Sequence, residues 1–182
     1  MIEKIIHFTV PARPNETQQR NIERARQLHP TWQVMVWKDP VDTAGFQLAP
    51  YHERVNSGAQ LADLIRLDVV HLHGGVYLDS DIELCQPLDG LLDGDEFFCS
   101  EDGKALTNAA FGARRGQPRV QAIIDELLRH EPDWRLPPNV TTGPELFSRR
   151  LHRQLGLRLL PRDTFYPYNW NEPPCDPLPT TF

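Results

Sequence analysis

The sequence has few cysteines, no long apolar run and no excess of basic residues, and each absence argues against a class of protein. Its three cysteines stand far apart without a Cys-X-X-Cys pair, which argues against a disulfide framework or a zinc knuckle and predicts reduced thiols. No apolar run approaches the roughly 18 to 20 residues of a transmembrane helix. The net charge of -6 gives no support for binding to a phosphate backbone, so no nucleic-acid partner is expected.

The first residues of the chain do not resemble a secretory signal. Their apolar stretch contains Glu3 and Lys4 and meets Pro11 early, whereas a signal peptide has an uninterrupted apolar core. We therefore expect a cytoplasmic protein. The lack of a predicted membrane span still leaves peripheral contact with a membrane open.

Length and composition predict one globular domain. A chain of 182 residues with 40% hydrophobic and 24% charged residues is long enough for a single core and has the composition of a soluble fold. Prolines crowd the last part of the sequence, where an irregular tail is expected. We predict a single domain over residues 1–168 and a proline-rich tail over residues 169–182.

Predicted strands and helices alternate along the chain. Hydrophobic periodicity and capping residues predict strands over 4–8, 32–37, 96–100 and 109–113 and around Asp79, and helices over 16–28, 58–73, from Pro118 onward and over about 142–155. Such alternation favours an α/β fold of three layers, with a mostly parallel sheet flanked by helices.

Charged side chains interrupt an otherwise apolar part of this pattern. Asp63 and Arg66 lie three positions apart in the central helix and so share one face, and a diglycine then leads into a strand with Tyr77, Asp79 and Asp81. If the strand continues through them, its alternation places these three side chains on one face. A buried charge persists only when it is paired, hydrogen-bonded or bound to a metal. The pattern therefore predicts a functional site, although Asp63 and Arg66 alone equally suit a structural ion pair.

The two aspartates of this segment suit a divalent cation. Carboxylate oxygens are hard ligands of the kind that Mg²⁺ and Mn²⁺ take. A twelve-residue calcium loop beginning at Asp79 is excluded, because Leu84 stands where glycine is needed and Gly90 where glutamate is needed. In parallel sheets ligands bind beyond the carboxyl ends of the strands, where Asp79 and Asp81 fall if the strand ends there.

One set of spaced residues resembles a known family. The set comprises the opening strand, a diglycine and several polar positions: Lys4–Phe8, Asp63, Arg66, Gly74, Gly75, Tyr77, Asp79, Asp81, Asn108 and Thr142–Pro144. It resembles the DXD-containing glycosyltransferases of family 32, which are related to the catalytic domains of large clostridial glucosylating toxins. The resemblance spans roughly residues 2–168. It implies a GT-A type fold and transfer of a sugar from a nucleotide diphosphate with retention at the anomeric carbon.

The same resemblance implies roles for the charged residues. Asp63 and Arg66 would bind hydroxyls of the donor sugar, and Tyr77 would line the donor pocket. Asp79 would contact ribose or sugar and assist a metal, which Asp81 would ligate directly. The implied cofactor is Mn²⁺ or Mg²⁺, because a cation that bridges diphosphate oxygens stabilises the leaving group.

Further positions are implied near the nucleotide and the sugar. Asn108 matches a position near the sugar and diphosphate, and with Asp79 and Asp81 it completes the predicted catalytic set. Apart from the resemblance, His7 is expected to be a half-buried residue of the first strand that approaches the nucleotide. Thr9 and Val10 stand where many members carry a tryptophan that stacks on the base. Members of the family also commonly end with a segment that contains His and Trp. The comparable stretch of this sequence is Tyr168, Asn169 and Trp170.

The predicted function is metal-dependent glycosyl transfer from a UDP- or GDP-linked sugar to a glycan or glycolipid-type acceptor. One alternative is a module that binds sugar nucleotides with reduced or lost turnover, since two typical features of the family are altered. A second is a phosphohydrolase with Asp79 as nucleophile, because aspartyl-phosphate enzymes also place two aspartates after a strand. Release of free sugar separates the first alternative from an active transferase, and release of phosphate from simple monoesters identifies the second.

Overall fold

The computed structural model describes residues 1–101, 105–152 and 154–166. The predicted tail at 169–182 and the segment Tyr168–Trp170 lie outside the described residues. The domain boundary at residue 168 therefore stays a prediction.

Five strands and five helices make up most of the described chain. The strands are β1 (Ile5–Val10), β2 (Gln33–Lys38), β3 (Gly75–Leu78), β4 (Glu96–Ser100) and β5 (Leu106–Ala113). The helices are α1 (Glu16–Leu28), α2 (Gly58–His73), α3 (Pro118–Arg129), α4 (Pro138–Thr141) and α5 (Pro144–Leu151). Three short 3₁₀ helices cover Ala49–Tyr51, Asp89–Leu91 and Arg162–Thr164.

The five strands form one mixed sheet in the order β2-β1-β3-β5-β4. Strand β1 pairs in parallel with β2 and β3, whereas β5 is antiparallel to both of its neighbours. Four strands thus run in one direction and only β5 opposes them. Helical crossovers through α1 and α2 produce the parallel pairs, because parallel strands cannot be joined by a tight turn. The predicted α/β fold with a mostly parallel sheet is confirmed.

Local capping chemistry sets the ends of the two helices that border the sheet's carboxyl edge. Asn15 and Gln18 form a reciprocal capping box at the start of α1, and the Ser57 side chain caps α2. Gly74 ends α2 with φ at +69°, a conformation that favours glycine. A Cβ atom on Gly74 would also lie 2.6 Å from the backbone nitrogen of Arg115. The predicted bounds of both helices are confirmed.

Apolar side chains fill a core on each face of the sheet. Along β3, Val76 and Leu78 pack on the side of α1, whereas Tyr77 joins the core on the side of α2, α3 and α5. This division follows from the alternation of side chains along a strand. The helices on both faces give the three layers that the sequence predicts.

The structure corrects the predicted strand around Asp79. Strand β3 ends at Leu78, and the Ile82 N–H donates to the Asp79 carbonyl at 3.0 Å, which closes a turn through Ser80 and Asp81. Strand alternation therefore does not orient Asp81. Asp79 and Asp81 instead follow the carboxyl end of β3. This is the position expected for them if the strand ends before Asp79.

Smaller differences affect the second half of the chain. Strand β5 begins three residues before the predicted Ala109, and α5 ends at Leu151 instead of near residue 155. The short helix α4 is absent from the sequence prediction. No helix within the described residues has the length and apolarity needed to cross a membrane.

Candidate active site

A pocket of about 490 Å³ lies at the carboxyl ends of β1, β2 and β3. Each strand end contributes to its lining, with Thr9 and Val10 from β1, Trp37 from β2 and the turn Asp79–Asp81 after β3. The first turns of α1 and α2 close its sides. This is the edge at which ligands bind in parallel α/β sheets.

Arg66 is the central cation of this site. Its guanidinium is almost fully buried, and Nη2 lies 3.0 Å from Asp63 Oδ1 and 3.0 Å from Asp79 Oδ1. Its Nη1 donates to the Asn108 carbonyl at 2.5 Å, and its Cζ lies 4.5 Å from the Tyr77 ring centroid. The planar fork of donors in arginine allows one side chain to hold several acceptors at once. Arg66 thus joins α2, β5 and the turn after β3, and it also lines the pocket.

Asp63 uses both carboxylate oxygens inside the protein. Besides the ion pair with Arg66, Oδ1 accepts from Asn108 Nδ2 at 2.7 Å and Oδ2 accepts from Thr142 Oγ1 at 2.6 Å. Burial raises the pKa of Asp63, and Arg66, Thr142 and Asn108 oppose that rise. Asp63 and Asn108 lie behind the pocket lining, and their contacts fix Arg66. The structure shows the ion pair that the sequence left open as the alternative for Asp63 and Arg66. It corrects the expectation that Asp63 binds hydroxyls of the donor sugar, because both of its carboxylate oxygens are engaged by the protein.

Tyr77 supports the pocket from behind. Its side chain is fully buried, and its hydroxyl donates to Asp79 Oδ1 at 2.8 Å. Because a phenol carries one hydrogen, Thr9 Oγ1, which lies 2.7 Å away, donates to the Tyr77 oxygen. Burial raises the pKa of Tyr77 well above its usual value. Thr9 and Tyr77 therefore orient the Asp79 carboxylate, which corrects the prediction that Tyr77 itself lines the pocket.

The turn Asp79–Asp81 is anchored at its middle residue. Gln18 Nε2 donates to Ser80 Oγ at 3.0 Å, and Asn21 Nδ2 donates to the Ser80 carbonyl at 3.1 Å. The Asp79 side chain is 32% exposed and Asp81 is exposed. Burial raises the pKa of Asp79, while Arg66 opposes that rise. Two amide side chains of α1 thus hold the turn that presents both aspartates to the pocket.

The donor set of the turn fits a divalent cation. Asp63, Asp79 and Asp81 carry three formal negative charges against the single positive charge of Arg66, so an added cation of charge two balances the group. The described part of the chain contains no cluster of three or more His, Cys, Asp or Glu side chains suited to a metal. Asp79 and Asp81 would therefore supply two ligands, and oxygens of a bound substrate or water would supply the others.

His7 belongs to the framework and not to the pocket lining. Its imidazole is fully buried, Nδ1 accepts from Trp37 Nε1 at 3.1 Å, and Nε2 lies 2.7 Å from the Gly74 carbonyl. Nε2 must carry the proton in this arrangement. Both ring nitrogens are engaged by the protein, which corrects the expectation that His7 approaches the nucleotide. Burial lowers the pKa of His7 to about 4.

We expect the free energy of unfolding to decrease as pH falls from 6.5 to about 4, in part because of His7. The ordinary pKa of histidine is 6.5 and that of folded His7 is about 4, so in this interval the unfolded chain binds the extra proton. The contribution of neutral His7 to the free energy of unfolding is complete above pH 6.5 and is lost as pH approaches 4. The difference between the two pKa values corresponds to about 3 kcal/mol.

Urea unfolding of the wild type and of His7→Asn, at about pH 7.5 and about pH 4.5, measures this contribution. Four other histidines have lowered pKa values and Asp68 has a raised one, so only the difference between the two proteins reports on His7. Equal loss of stability in both proteins on acidification contradicts the assignment.

Replacing Gln18 by alanine is expected to weaken cation-dependent ligand binding about fivefold, because the hydrogen bond to Ser80 that it removes is worth about 1 kcal/mol. The variant also loses the capping bond from the Asn15 N–H, which lies at the start of α1. The matched control is Gln19→Ala, since the adjacent Gln19 is exposed and its Nε2 donates to the Pro14 carbonyl at 2.8 Å. Calorimetric titration with Mn²⁺ and a nucleotide sugar compares the two variants. Equal affinities of the two variants for the ligand would show that the hydrogen bond from Gln18 to Ser80 does not affect the site.

Several site residues lie beyond the reach of the sequence pattern. Thr142 belongs to the residues that carry the family resemblance, and only the structure shows that its hydroxyl donates to Asp63 Oδ2. Gln18 has one signal in the sequence, because its position three residues after Asn15 is typical of a capping box. Trp37 lies at the carboxyl end of a predicted strand, and this position indicates that it lies near the ligand-binding edge of the sheet.

A family comparison matches this region of the chain. Residues 15–98 match the family described as "Glycosyltransferase sugar-binding region containing DXD motif". The matched range includes α1, Asp63, Arg66 and the turn Asp79–Asp81. The resemblance to the DXD-containing glycosyltransferases is therefore confirmed.

Two yeast enzymes are among the similar proteins. Inositol phosphoceramide mannosyltransferase 2 of Schizosaccharomyces pombe is 29% identical over 157 residues, which cover 79% of this chain and 44% of that protein. Mannosyl phosphorylinositol ceramide synthase CSH1 of Saccharomyces cerevisiae is 27% identical over 161 residues, which cover 81% and 42%. The chain thus spans less than half the length of the curated relatives it matches.

Solved structures of glycosyltransferases share the fold. The PaToxG glycosyltransferase superposes with a TM-score of 0.67 at 17% identity, over 85% of this chain and 70% of that one. The glycosyltransferase GlyE of Streptococcus pneumoniae TIGR4 superposes with a TM-score of 0.51 at 13% identity, over 90% and 46%. These likenesses confirm the GT-A type fold.

Proposed function

We propose that this chain, which carries a glycosyltransferase sugar-binding region, transfers a sugar from a nucleotide diphosphate to a glycolipid-type acceptor in a cation-dependent reaction. The observation that carries the proposal is the arrangement around Arg66, where a buried guanidinium holds Asp79 at a pocket that Asp81 also lines. An ion pair with a purely structural role would require neither a pocket beside it nor a second aspartate in the pocket lining.

The aspartates after β3 would hold Mn²⁺ or Mg²⁺. Such a cation stabilises the negative charge that develops on the diphosphate as the bond to the sugar breaks, and this stabilisation is greater in the transition state than in the ground state. Asp81 is exposed at the pocket and is the direct ligand in this proposal. Asp79 shares the site while its Oδ1 stays bound to Arg66 and Tyr77.

Arg66 is proposed to act on the donor sugar. Arg66 is one of the pocket-lining residues, and its guanidinium is held by Asp63 and by the Asn108 carbonyl. Fixed donors lose little freedom when a ligand binds, so they select one orientation of the sugar hydroxyls. The proposal includes retention at the anomeric carbon, because the family resemblance implies it.

The proposed acceptor follows from the relatives. Both yeast proteins described above carry names that refer to mannosyl transfer onto an inositol-containing ceramide, which supports a hydroxylated lipid headgroup as the acceptor of this chain. This chain matches less than half of each of those proteins. Acceptor binding therefore has to be tested directly.

A panel of nucleotide sugars with and without Mn²⁺ tests the proposal. We expect one donor to raise the melting temperature only when Mn²⁺ is present, because selective binding stabilises the folded state by mass action. We also expect slow release of free sugar from that donor. Binding without any sugar release or transfer would support a binding module, and phosphate release from simple monoesters would support a phosphohydrolase. If no donor binds, or if EDTA leaves binding unchanged, the proposed function is wrong.

A further inference from the structure

Helix α1 holds the segment that follows β3, residues 79–88, at several points along its length. Near the start of the helix, two amide side chains bind the turn, as described above. Further along the helix, Arg24 Nε donates to the Leu84 carbonyl at 3.3 Å. At the C-terminal end of the helix, the Leu88 N–H donates to His29 Nε2 at 2.8 Å. The segment contains no helix or strand of its own, so side chains of α1 determine the course of its backbone.

The imidazole of His29 is neutral in this arrangement and carries its proton on Nδ1. The side chain is buried, and Nε2 holds no hydrogen because it accepts the Leu88 N–H. Nδ1, which lies 2.8 Å from the Ala25 carbonyl, donates to that oxygen. The ring also packs against Trp32 at a centroid distance of 4.7 Å. One ring nitrogen is thus bound to α1 and the other to the segment 79–88.

Protonation of His29 breaks its contact with the segment. An imidazolium is a donor at both nitrogens, so its Nε2–H would oppose the N–H of Leu88. Leu88 is fully buried, and a buried N–H that loses its acceptor is costly, so the Leu88 backbone has to move away from the ring. Burial lowers the pKa of His29, and the Ala25 carbonyl and Asp89 oppose that change. The contact is therefore intact at neutral pH and is lost on acidification.

Asp89 is the charged group that faces His29 from beyond the segment. It pairs with Lys4 at 3.1 Å, and the hydrogen bond from Lys4 lowers the pKa of Asp89, so this carboxylate stays ionised above pH 5. In the last turn of α1 the charged side chain is Arg26, which pairs with Glu23 at 3.5 Å. The aromatic ring that stacks on the imidazole is uncharged. His29 is therefore the group of this contact that changes its charge between pH 8 and pH 5.

We propose that His29 positions the cation-binding turn through the segment 79–88, and that its protonation weakens cation-dependent binding of a nucleotide sugar. The inference rests on the proposed function, because it takes Asp79 and Asp81 to hold the cation. Gln18 and His29 lie three helical turns apart on one face of α1, about 16 Å along the axis. The same helix face therefore holds the turn at one end of the segment and Leu88 at the other.

The packing of the segment carries a change at Leu88 toward the turn. Leu84, three residues after Asp81, lies in the same core cluster as Leu88, so a shift of the Leu88 backbone also disturbs the side chain nearer the turn. A segment without a hydrogen-bond ladder of its own gains conformational freedom when one end is released. Binding of a cation then has to order the turn again, which costs affinity.

Two variants separate the acceptor at Nε2 from the charge of the imidazolium. His29→Gln brings an amide oxygen near the place of Nε2, where it accepts the Leu88 N–H without titrating. His29→Asn has a shorter side chain whose amide matches Nδ1 only, so the Leu88 N–H loses its acceptor. The matched control is His130→Gln, because His130 is exposed and follows the last residue of α3 as His29 follows that of α1.

Calorimetric titration with Mn²⁺ and either GDP-mannose or UDP-glucose, between pH 8 and pH 5, measures the effect. On acidification, the affinities of the wild type and of His130→Gln should fall about threefold more than that of His29→Gln, which is part of the value of one hydrogen bond. His29→Asn should bind the donor about threefold more weakly than the wild type at pH 8. The carboxylates of the turn titrate in all four proteins, so only the differences between them report on His29.

The wild-type protein decides the question even if a variant does not fold. Linkage is reciprocal, so if protonated His29 weakens donor binding about threefold, binding of the donor reduces the proton affinity of His29 by the same factor. NMR titration of the histidine ring signals, with and without Mg²⁺ and the donor, measures this change. The signals of His130 serve as the internal control and should titrate alike in both samples.

Three results would overturn the inference while leaving the proposed function intact. They are the same pH dependence of donor binding in the wild type and His29→Gln, equal affinities of the wild type and His29→Asn at pH 8, and a proton affinity of His29 that donor binding leaves unchanged. Absence of cation-dependent binding of both donors would overturn the proposed function and the inference together.

Discussion

Replacing Asp81 by asparagine is expected to reduce sugar transfer or release by about a thousandfold or more, equivalent to several kcal/mol of lost stabilisation of the leaving group. Asparagine has nearly the same size but no charge, and Asp81 is exposed without an ion pair to any described residue. The fold should therefore be unaffected. Mn²⁺-dependent binding of a donor should weaken in parallel, because the variant leaves Asp79 as the only carboxylate of the turn.

Calorimetric titration of the donor with Mn²⁺, followed by an assay of sugar release, measures both effects. The matched control is Asp93→Asn, an exposed aspartate outside the pocket lining, which should behave as the wild type. Circular dichroism and thermal unfolding establish that both variants fold. Undiminished cation-dependent binding in Asp81→Asn would remove Asp81 from the metal site.

Replacing Asp63 by alanine is expected to lower the free energy of unfolding by about 3 to 5 kcal/mol, the usual result of removing one partner of a buried ion pair. The change leaves the Asn108 amide and the Thr142 hydroxyl without their acceptor and removes one counter-ion of buried Arg66. Donor binding should also weaken, because Arg66 loses the contact that fixes it from α2.

Denaturant unfolding of Asp63→Ala measures the loss against a surface control. The control is Asp133→Ala, which removes an exposed ion pair with Arg135 at 2.7 Å and should change the free energy of unfolding far less, because exposed ion pairs contribute little to stability. The variant Asp63→Asn separates charge from shape, since it keeps one oxygen for Thr142. Equal stabilities of Asp63→Ala and the wild type would show that the buried network does not stabilise the fold.

The sequence alone determined the parts of this protein that depend on near neighbours. Helix α2 has the predicted bounds, because Ser57 caps its start and Gly74 takes the positive φ that ends it. The spacing of Asp63 and Arg66 predicted their ion pair, since residues three apart lie on one helix face. The family resemblance, together with the rule that ligands bind beyond the carboxyl ends of parallel strands, predicted the edge of the sheet that carries the pocket.

Only the tertiary structure decided which of these residues face the pocket and which support it. Periodicity assigns a side chain to a face, but His7 and Tyr77 show that a side chain near a ligand site can be wholly enclosed by protein. The end of β3 at Leu78 likewise depends on the turn closed by Ile82, which a run of alternating residues does not reveal.

Contacts between distant parts of the chain complete the site. Thr142 reaches Asp63 across 79 positions, Asn108 across 45, and Gln18 reaches Ser80 across 62. Trp37 comes to the pocket because β2 pairs with β1, which places the ends of both strands on one edge. Helix and strand propensities act over a few residues, whereas such pairs form only when helices pack on the sheet. The sequence could therefore name the charged residues of the site, and the packing of α1, α2 and α5 decided how those residues are held.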